Sequence, residues 1–190
     1  VSAKPFVVFL SGCTSVLLRL TGLTTDRRDE VSEEEIRHLV AEGAEQGVID
    51  RQEHNMLNRV LALGDRTAAS LMTPRTRITW LDAATSVEDN LALMRATPHS
   101  RYPVCRGSDK DVLGIFDLKH VVANFQPGEL PQLFNHLAPA VYVPETARAV
   151  NLLETLRDEE ATMALVVDEY GDIVGMVTLE NVLEELVGPI

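Results

Sequence analysis

The residues best placed to do chemistry lie where an extended segment passes directly into a helix. Thr178 ends the apolar run 173–177 and opens a helical pattern over 179–186. A threonine in this position places its hydroxyl and free backbone N–H groups at a helix N-terminus, which is a natural site for an anion. Asn181 lies one turn later on the same face. The two residues could equally be an ordinary N-cap and a solvated asparagine, and both interpretations stay open.

The usual signatures of catalysis are absent from the sequence. There is no GxSxG motif, no P-loop and no dinucleotide fingerprint. The five histidines form no HxxxH or HExxH pair, and Cys13 and Cys105 lie far apart and outside any metal-type spacing. We therefore expect that the protein is not an enzyme, that it has two free thiols, and that its own residues bind no metal.

Composition and charge narrow the class further. The 190 residues are 45% hydrophobic and 24% charged, which is typical of a folded protein with one or two domains. The net charge of −12 argues against nucleic acid as a partner, because contacts with phosphates need clustered lysine and arginine. The acidic surplus could attract divalent cations, although solubility alone would explain it.

The C-terminal part of the chain repeats itself. Trp80 corresponds to Tyr142 at an offset of 62 residues, and residues 114–118 correspond to 175–179 at an offset of 61. Two copies of one unit bury a face against each other, and the cleft between them is a natural place for a small ligand. Each copy has the pattern β-α-β-β-α, which predicts a mixed α/β module with a small three-stranded sheet.

The pattern also predicts the domain boundaries. We expect an amphipathic helix at 1–23, a helical spacer at 24–67, a first repeat at 68–125, a linker at 126–136 and a second repeat at 137–190. Within the spacer, Ser32 with Glu35 and Asp50 with Glu53 have the spacing of capping boxes at two helix starts.

Residues 1–23 carry a strongly apolar stripe. The uncharged run 5–18 is shorter than the roughly 20 residues that cross a bilayer. An amphipathic helix that lies on a membrane or packs on another protein surface fits this pattern, and an ordinary core helix is the alternative. Because the chain begins at Val1 and not at Met, we expect it to be part of a longer protein.

Several motifs taken together resemble the CBS-domain pair, and more narrowly the cytoplasmic part of the CorC/HlyC family of membrane proteins, whose relatives include the cyclin-M magnesium transporters. The resemblance covers residues 30–188 and keeps its order throughout. The matching pieces are VAEG at 40–43, GVID at 47–50, LMTPR at 71–75, HSRYPV at 99–104, VVDEYG at 166–171 and GMVTLENVLEELVG at 175–188.

The resemblance implies an α/β fold, namely a tandem CBS-domain pair with pseudo-twofold symmetry, preceded by an N-terminal helical segment. It implies a homodimer formed through the CBS pairs, and a regulatory role toward a transmembrane domain that moves magnesium or cobalt. The expected ligand is an adenine nucleotide, ATP, ADP or AMP, with magnesium as an optional companion. The expected location is the cytoplasmic face of the inner membrane, with residues 1–23 at the membrane surface and this part of the protein itself soluble.

The resemblance also implies a nucleotide site in the cleft between the repeats. Thr178 would lie near phosphate, Asn181 near ribose, and Arg101 at the rim, where a surface ion pair is the alternative for the arginine. The remaining residues of the implied site are Tyr102, Pro103, Thr76, Ile78, Met163 and Ala164.

The sequence departs from the family pattern at the position that contacts ribose. That position is normally aspartate, three residues after a threonine. The second repeat has Asn181 there, and the first repeat has His120 there, with Asp117 at the place of the threonine. A neutral acceptor is weaker than a charged one, by roughly tenfold in affinity. Asp117 would in addition repel a phosphate. We therefore expect the site in the second repeat to be the better one, and a degenerate pair that acts only as a dimerisation block is the alternative.

The acidic residues near the second repeat allow two interpretations. They could form a rim that collects magnesium, or they could be a solvated charged face. The residues concerned are Glu180, Glu184, Glu185, Asp168 and Glu169.

Overall fold

The computed structural model describes residues 31–97, 99–119 and 133–188, which divide between two compact units, 1–50 and 51–190. The predictions for residues 1–23 and for most of the linker at 126–136 lie outside the described residues, as does His120. Within the described ranges, no helix has the length and apolar character needed to cross a membrane.

The first unit contains helix α1 (Glu33–Glu45). The Ser32 side chain accepts a hydrogen bond from the Glu35 N–H at 3.2 Å, which confirms the predicted N-cap. The three glutamates at 33–35 lie in the first turn, where negative charge is favourable. The helix gives way to a turn in which Gly47 has a φ of 74°, a conformation that glycine adopts without steric cost.

The second unit contains the predicted repeats. Each one runs strand, helix, strand, strand, and then the start of a closing helix, which the first repeat shows at residues 118–119. The elements are α2 (Arg51–Leu63), α3 (Ala68–Leu71), β1 (Thr73–Pro74), a 3-10 helix (Arg75–Arg77), β2 (Leu81–Asp82), α4 (Val87–Ala96), β3 (Arg101–Cys105), β4 (Val112–Asp117), β5 (Tyr142–Pro144), α5 (Ala149–Asp158), β6 (Met163–Val167), β7 (Ile173–Thr178) and α6 (Leu179–Val187).

The strands form two sheets with matching topology. In the first repeat β2 runs parallel to β3, and β3 runs antiparallel to β4. In the second repeat β5, β6 and β7 repeat the same arrangement. The expected three strands are found in the first sheet, but the second has four, because β1 adds to its edge in the order β1-β7-β6-β5.

The fourth strand comes from the other repeat. The leading segment of the first repeat pairs Thr73 with Met176 on β7. The leading segment of the second repeat returns the exchange, since Ala138 forms two backbone hydrogen bonds with Ile115 on β4, at 2.8 and 2.9 Å. Each repeat thus supplies an edge to its twin, and the two cannot separate without losing these bonds.

Two glycines at corresponding positions make room for the exchanged segments. A Cβ atom on Gly175 would lie 2.8 Å from the Thr73 carbonyl oxygen, and one on Gly114 would lie 2.6 Å from the Ala138 carbonyl oxygen. Gly114 also has a φ of 150°, which favours glycine. Any larger residue would push the exchanged segment away from the strand.

Two hydrophobic cores lie one in each repeat. In the first, Leu81, Tyr102, Val104 and Phe116 are almost fully buried. In the second, the core also includes residues from earlier in the chain: Leu63 at the end of α2 and Ala68 in α3 belong to it. The central buried residues of the second core are Val143, Ala149, Leu152, Leu156, Ala164, Val166, Val177 and Val182.

Charged side chains connect the turns of the two repeats. Arg75 donates two hydrogen bonds to Asp109, from Nε to Oδ2 at 2.5 Å and from Nη2 to Oδ1 at 2.6 Å. Lys110, in the same β3–β4 turn, pairs with Asp172 in the β6–β7 turn at 2.6 Å. The Arg75 guanidinium lowers the pKa of Asp109, and the Lys110 ammonium lowers the pKa of Asp172.

Substitution of either crossing glycine should weaken the pairing of the repeats. We expect Gly175→Ala and Gly114→Ala each to lower the free energy of unfolding by about 1–3 kcal/mol, because the new Cβ collides with backbone. Urea unfolding followed by circular dichroism measures this. Gly64→Ala is the control, since its Cβ would meet only the Leu61 carbonyl oxygen at 3.3 Å. An equal loss in all three variants would contradict the explanation.

The ion pairs should make part of the stability depend on pH. A carboxylate whose pKa is lowered by folding contributes stability above its unfolded pKa of about 4 and loses it as the pH falls. The free energy lost in Asp109→Asn and Asp172→Asn should therefore be largest above about pH 5 and shrink toward pH 3. Urea titrations at several pH values test this. The control Glu154→Gln, on an exposed face of α5, removes a carboxylate outside these ion pairs and so separates their effect from a general change of net charge.

Candidate functional site

The candidate site is built where β7 ends and α6 begins. Thr178 is the last residue of β7 and the N-cap of α6. Across the sheet its register partner is Met163, the first residue of β6, and the next pair is Ala164 with Val177. The structure thus brings four of the predicted residues, Thr178, Asn181, Met163 and Ala164, to one end of the second sheet. Met163 and Ala164 are buried there.

Thr178 and Asn181 cap the helix reciprocally. The Asn181 N–H donates to Thr178 Oγ1 at 3.1 Å, while the Thr178 N–H and hydroxyl donate to Asn181 Oδ1 at 3.0 and 2.8 Å. Because both groups of Thr178 are donors, the atom that receives them is the amide oxygen, and the NH₂ group of Asn181 points away from the cap. The hydroxyl therefore donates its one hydrogen within the cap. An anion that binds the hydroxyl must replace Asn181 Oδ1 as the acceptor.

The corresponding place in the first repeat is arranged differently. Asp117 stands where Thr178 stands, and its Oδ1 accepts the Lys119 N–H at 2.9 Å. Its Oδ2 accepts a hydrogen bond from Arg101 Nε at 2.8 Å. The carboxylate itself thus takes the place of an anion at the helix start, and the arginine balances its charge.

Arg101 is found in the first sheet. Its register partner on β4 is Asp117, as Met163 is the partner of Thr178 on β7. The structure therefore records the ion pair that the sequence left as an alternative, with both side chains partly exposed. Its predicted role at the rim of the Thr178 site stays a prediction.

Tyr102 and Pro103 contribute to the core of the first repeat. Both are almost fully buried, and the Tyr102 hydroxyl donates to the Thr97 carbonyl oxygen at 3.0 Å. The Tyr102 ring also packs edge-on against His99, with 5.7 Å between the centroids. Their predicted contact with a ligand stays a prediction, because these core contacts do not test it.

Thr76 and Ile78 lie on the segment that leaves β1 at the edge of the second sheet. Thr76 is exposed within the 3-10 helix, whereas Ile78 is buried and donates its N–H to the Arg75 carbonyl oxygen at 3.2 Å. Two residues further on, the Trp80 indole Nε1 is buried without a hydrogen-bond partner in the described part of the chain. A buried donor of this kind costs free energy until an acceptor reaches it.

Two of the acidic residues of the second repeat have partners of their own. Glu185 pairs with Arg66 at 2.6 Å, and Asp168 accepts the backbone N–H groups of Tyr170 and Asp172 within its turn. Among residues 31–97, 99–119 and 133–188 there is no group of three or more histidine, cysteine or acidic side chains that could hold a metal ion.

Sequence reasoning missed the residues that connect the two repeats at their β3–β4 and β6–β7 turns. Arg75, Asp109, Lys110 and Asp172 carry these contacts. One signal was present, because Lys110 and Asp172 lie 62 residues apart, the offset of the repeat, and have opposite charges. Such a pair can meet only when the two copies face each other, which the sequence alone did not establish.

Comparisons with known proteins agree with this arrangement. The CBS domain family matches residues 68–126 and 136–188, and the cyclin M transmembrane N-terminal domain family matches residues 1–53. The UPF0053 protein sll0260 of Synechocystis sp. is 40% identical over 186 residues, which are 98% of this chain and 42% of that protein. The UPF0053 inner membrane protein YoaE of Escherichia coli K12 is 35% identical over 143 residues, 75% of this chain and 28% of YoaE. The chain therefore spans less than half the length of these relatives.

Solved structures show the same likeness. The CBS domain of a bacterial CNNM/CorC family Mg²⁺ transporter matches with a TM-score of 0.76 and 37% identity, over 84% of this chain and 98% of that one. The CBS domain of such a transporter in complex with ATP matches with a TM-score of 0.67 and 36% identity, over 73% of this chain and 99% of that one. A CBS-domain pair with bound AMP from Klebsiella pneumoniae matches with a TM-score of 0.58 and 27% identity, over 64% and 98%. Fold, sequence and topology together assign the chain to the CNNM/CorC family, with its CBS-domain pair at residues 68–126 and 136–188.

Proposed function

We propose that this CBS pair binds adenine nucleotide at the N-terminus of α6 and thereby regulates a membrane domain that moves magnesium or cobalt. The observation that carries the proposal is the similar CNNM/CorC CBS domain solved in complex with ATP, which matches 73% of this chain at 36% identity. ATP, ADP and AMP are the candidate ligands, with magnesium as a companion of the phosphates.

The chemistry of the Thr178 site supports this choice. Phosphate oxygens are acceptors, and a helix N-terminus with a threonine hydroxyl offers donors and a favourable dipole. The Asn181 NH₂ group is free of the cap and can donate to a ribose hydroxyl. Met163 and Ala164 are apolar neighbours of these groups on β6, and apolar side chains are what the body of a nucleoside requires.

The first repeat is the poorer candidate for a phosphate. Asp117 already occupies the helix start with a negative charge, and Arg101 is engaged in balancing it. A phosphate would have to displace the carboxylate before it could use the arginine. We therefore place the single working site in the second repeat.

The exchange of leading segments provides a route for regulation. The segment that carries Thr76 and Ile78 is anchored on β7, the strand that ends at Thr178. A nucleotide that contacts both would favour one relative position of the repeats, and a connected domain would respond to that shift. We place that domain in the inner membrane, with this module on the cytoplasmic face and residues 1–23 near the lipid surface.

A second candidate function is a dimerisation block without ligand. The closed cap favours it, because Thr178 and Asn181 already satisfy one another. Calorimetric titration with ATP, ADP and AMP, each with and without magnesium, separates the two functions. Binding of any of them at micromolar to millimolar concentration supports the nucleotide site, and no heat with all of them supports the block.

Restoring the carboxylate of the family pattern should strengthen nucleotide binding. In Asn181→Asp one oxygen can keep the cap while the second faces the ribose as a charged acceptor, so we expect about tenfold tighter binding. Thr178→Ile should abolish binding, because it removes the hydroxyl and fills the approach to the helix start. Calorimetry measures both effects.

A matched control separates lost contacts from a weakened helix. Ser86 caps α4 as Thr178 caps α6, accepting the Asp89 N–H at 3.0 Å. Ser86→Ala should cost about 1 kcal/mol of stability, as loss of a cap does, without changing nucleotide affinity. If Asn181→Asp leaves affinity unchanged and Thr178→Ile still binds, the site assignment is wrong.

Self-association is a further outcome of the proposal. Leu93, Leu118, Val150 and Leu183 lie on helices that follow strands of the two repeats, and each is more than a third exposed. A second copy that covers these side chains in a symmetric dimer would remove them from water. Sedimentation at tens of micromolar should show a dimer, and Leu183→Glu should shift it toward the monomer. A monomer in the unaltered protein would overturn this expectation.

A further inference from the structure

The first repeat carries three residues that have no counterpart in the second. Pro74 and Pro139 follow the exchanged residues Thr73 and Ala138 and lie 65 positions apart, whereas Trp80 and Tyr142 lie 62 apart. The difference of three corresponds to the 3-10 helix Arg75–Arg77. The asymmetry lies on the segment that leads to Ile78.

Arg75 in this insertion contacts both repeats. Its guanidinium donates hydrogen bonds to both carboxylate oxygens of Asp109 in the β3–β4 turn of the first repeat, at 2.5 and 2.6 Å. Its Nη1 donates to the Ile173 carbonyl oxygen at the start of β7, at 3.4 Å. A two-pronged arginine–carboxylate contact fixes direction as well as distance, which a single contact does not.

The adjacent ion pair continues the connection. Lys110 follows Asp109 in the chain and reaches Asp172 in the β6–β7 turn. The charges of Arg75, Asp109, Lys110 and Asp172 therefore alternate in sign along this connection. The Lys110–Asp172 pair is at least half exposed on both sides, so salt screens it strongly. The Arg75–Asp109 pair is 36% and 28% exposed and is the more persistent half.

We propose that Arg75 is a positioning residue, which holds the 3-10 segment against the turns of both repeats and so sets the place of Thr76 and Ile78 for nucleotide. The part that concerns the ligand rests on the proposed function. The mechanical part, which is the connection of the two turns through Arg75, does not, because it concerns contacts between side chains and backbone of the protein itself.

The mechanical part is tested by the distance between the two turns in the protein without nucleotide. Pulsed EPR measures this distance between spin labels attached at Ser108→Cys and Glu169→Cys, which are both exposed positions. The native cysteines are removed by Cys13→Ser and Cys105→Ala. We expect a narrow distribution that broadens in Arg75→Gln and in Asp109→Asn. The double variant Arg75→Asp with Asp109→Arg should narrow it again. Arg77→Gln, an exposed arginine in the same 3-10 helix, is the matched control and should change nothing.

The ligand part is tested with ATP and with adenosine, which has no phosphate. If Arg75 acts by positioning, Arg75→Gln should weaken both ligands by a similar factor, about fivefold or more, whereas Arg77→Gln should leave both near the unaltered affinity. A loss confined to ATP would mean that Arg75 contacts phosphate directly, and it would overturn the positioning role. Should the unaltered protein bind neither ligand, the proposed function fails, while the EPR distances still decide the link. Unchanged distances in Arg75→Gln would overturn the link itself.

Discussion

The exchange of leading segments between the two repeats is the constraint on which the rest of this structure depends. Residues 73–74 complete the sheet of the second repeat, and Ala138 bonds to β4 of the first. Neither sheet keeps its edge without the other, so the repeats behave as one folded body and not as two domains on a linker. Gly114 and Gly175 are required because backbone atoms of the exchanged segments lie where a Cβ would be. Packing of two small cores alone would have left the relative position of the repeats far less defined.

The two ends of the module differ in chemistry. Corresponding strand ends carry Thr178 and Asp117, one with a neutral hydroxyl cap and the other with a carboxylate balanced by Arg101. A helix N-terminus favours negative charge in either case. The first repeat supplies that charge itself, whereas the second closes the helix start with the neutral Thr178–Asn181 cap. Two nearly identical folds thus differ in charge at this place, and the difference comes from single residues at matching positions.

Asymmetry also enters through the inserted 3-10 helix. Arg75 lies in this insertion and contacts both Asp109 and β7, whereas in the second repeat Pro139 is followed almost at once by β5. The insertion therefore joins the exchanged edge, the turn of the first repeat and the strand that ends at Thr178. The connecting groups are charged and directional, so they define how these three places lie relative to one another.

The sequence alone determined the repeat, its β-α-β-β-α order and the family, because these depend on local patterns and on residue types at fixed spacing. It offered a cap at Thr178 as one of two interpretations. The prediction of three strands in each sheet was incomplete, since the edge strand of the second sheet comes from about 100 residues earlier in the chain, at Thr73. Only the tertiary structure showed that Asn181 turns its oxygen into the cap and that Arg101 faces Asp117. Hydrogen-bond partners of this kind are chosen by which backbone ends meet in the folded sheet, and no pattern within either segment specifies that meeting.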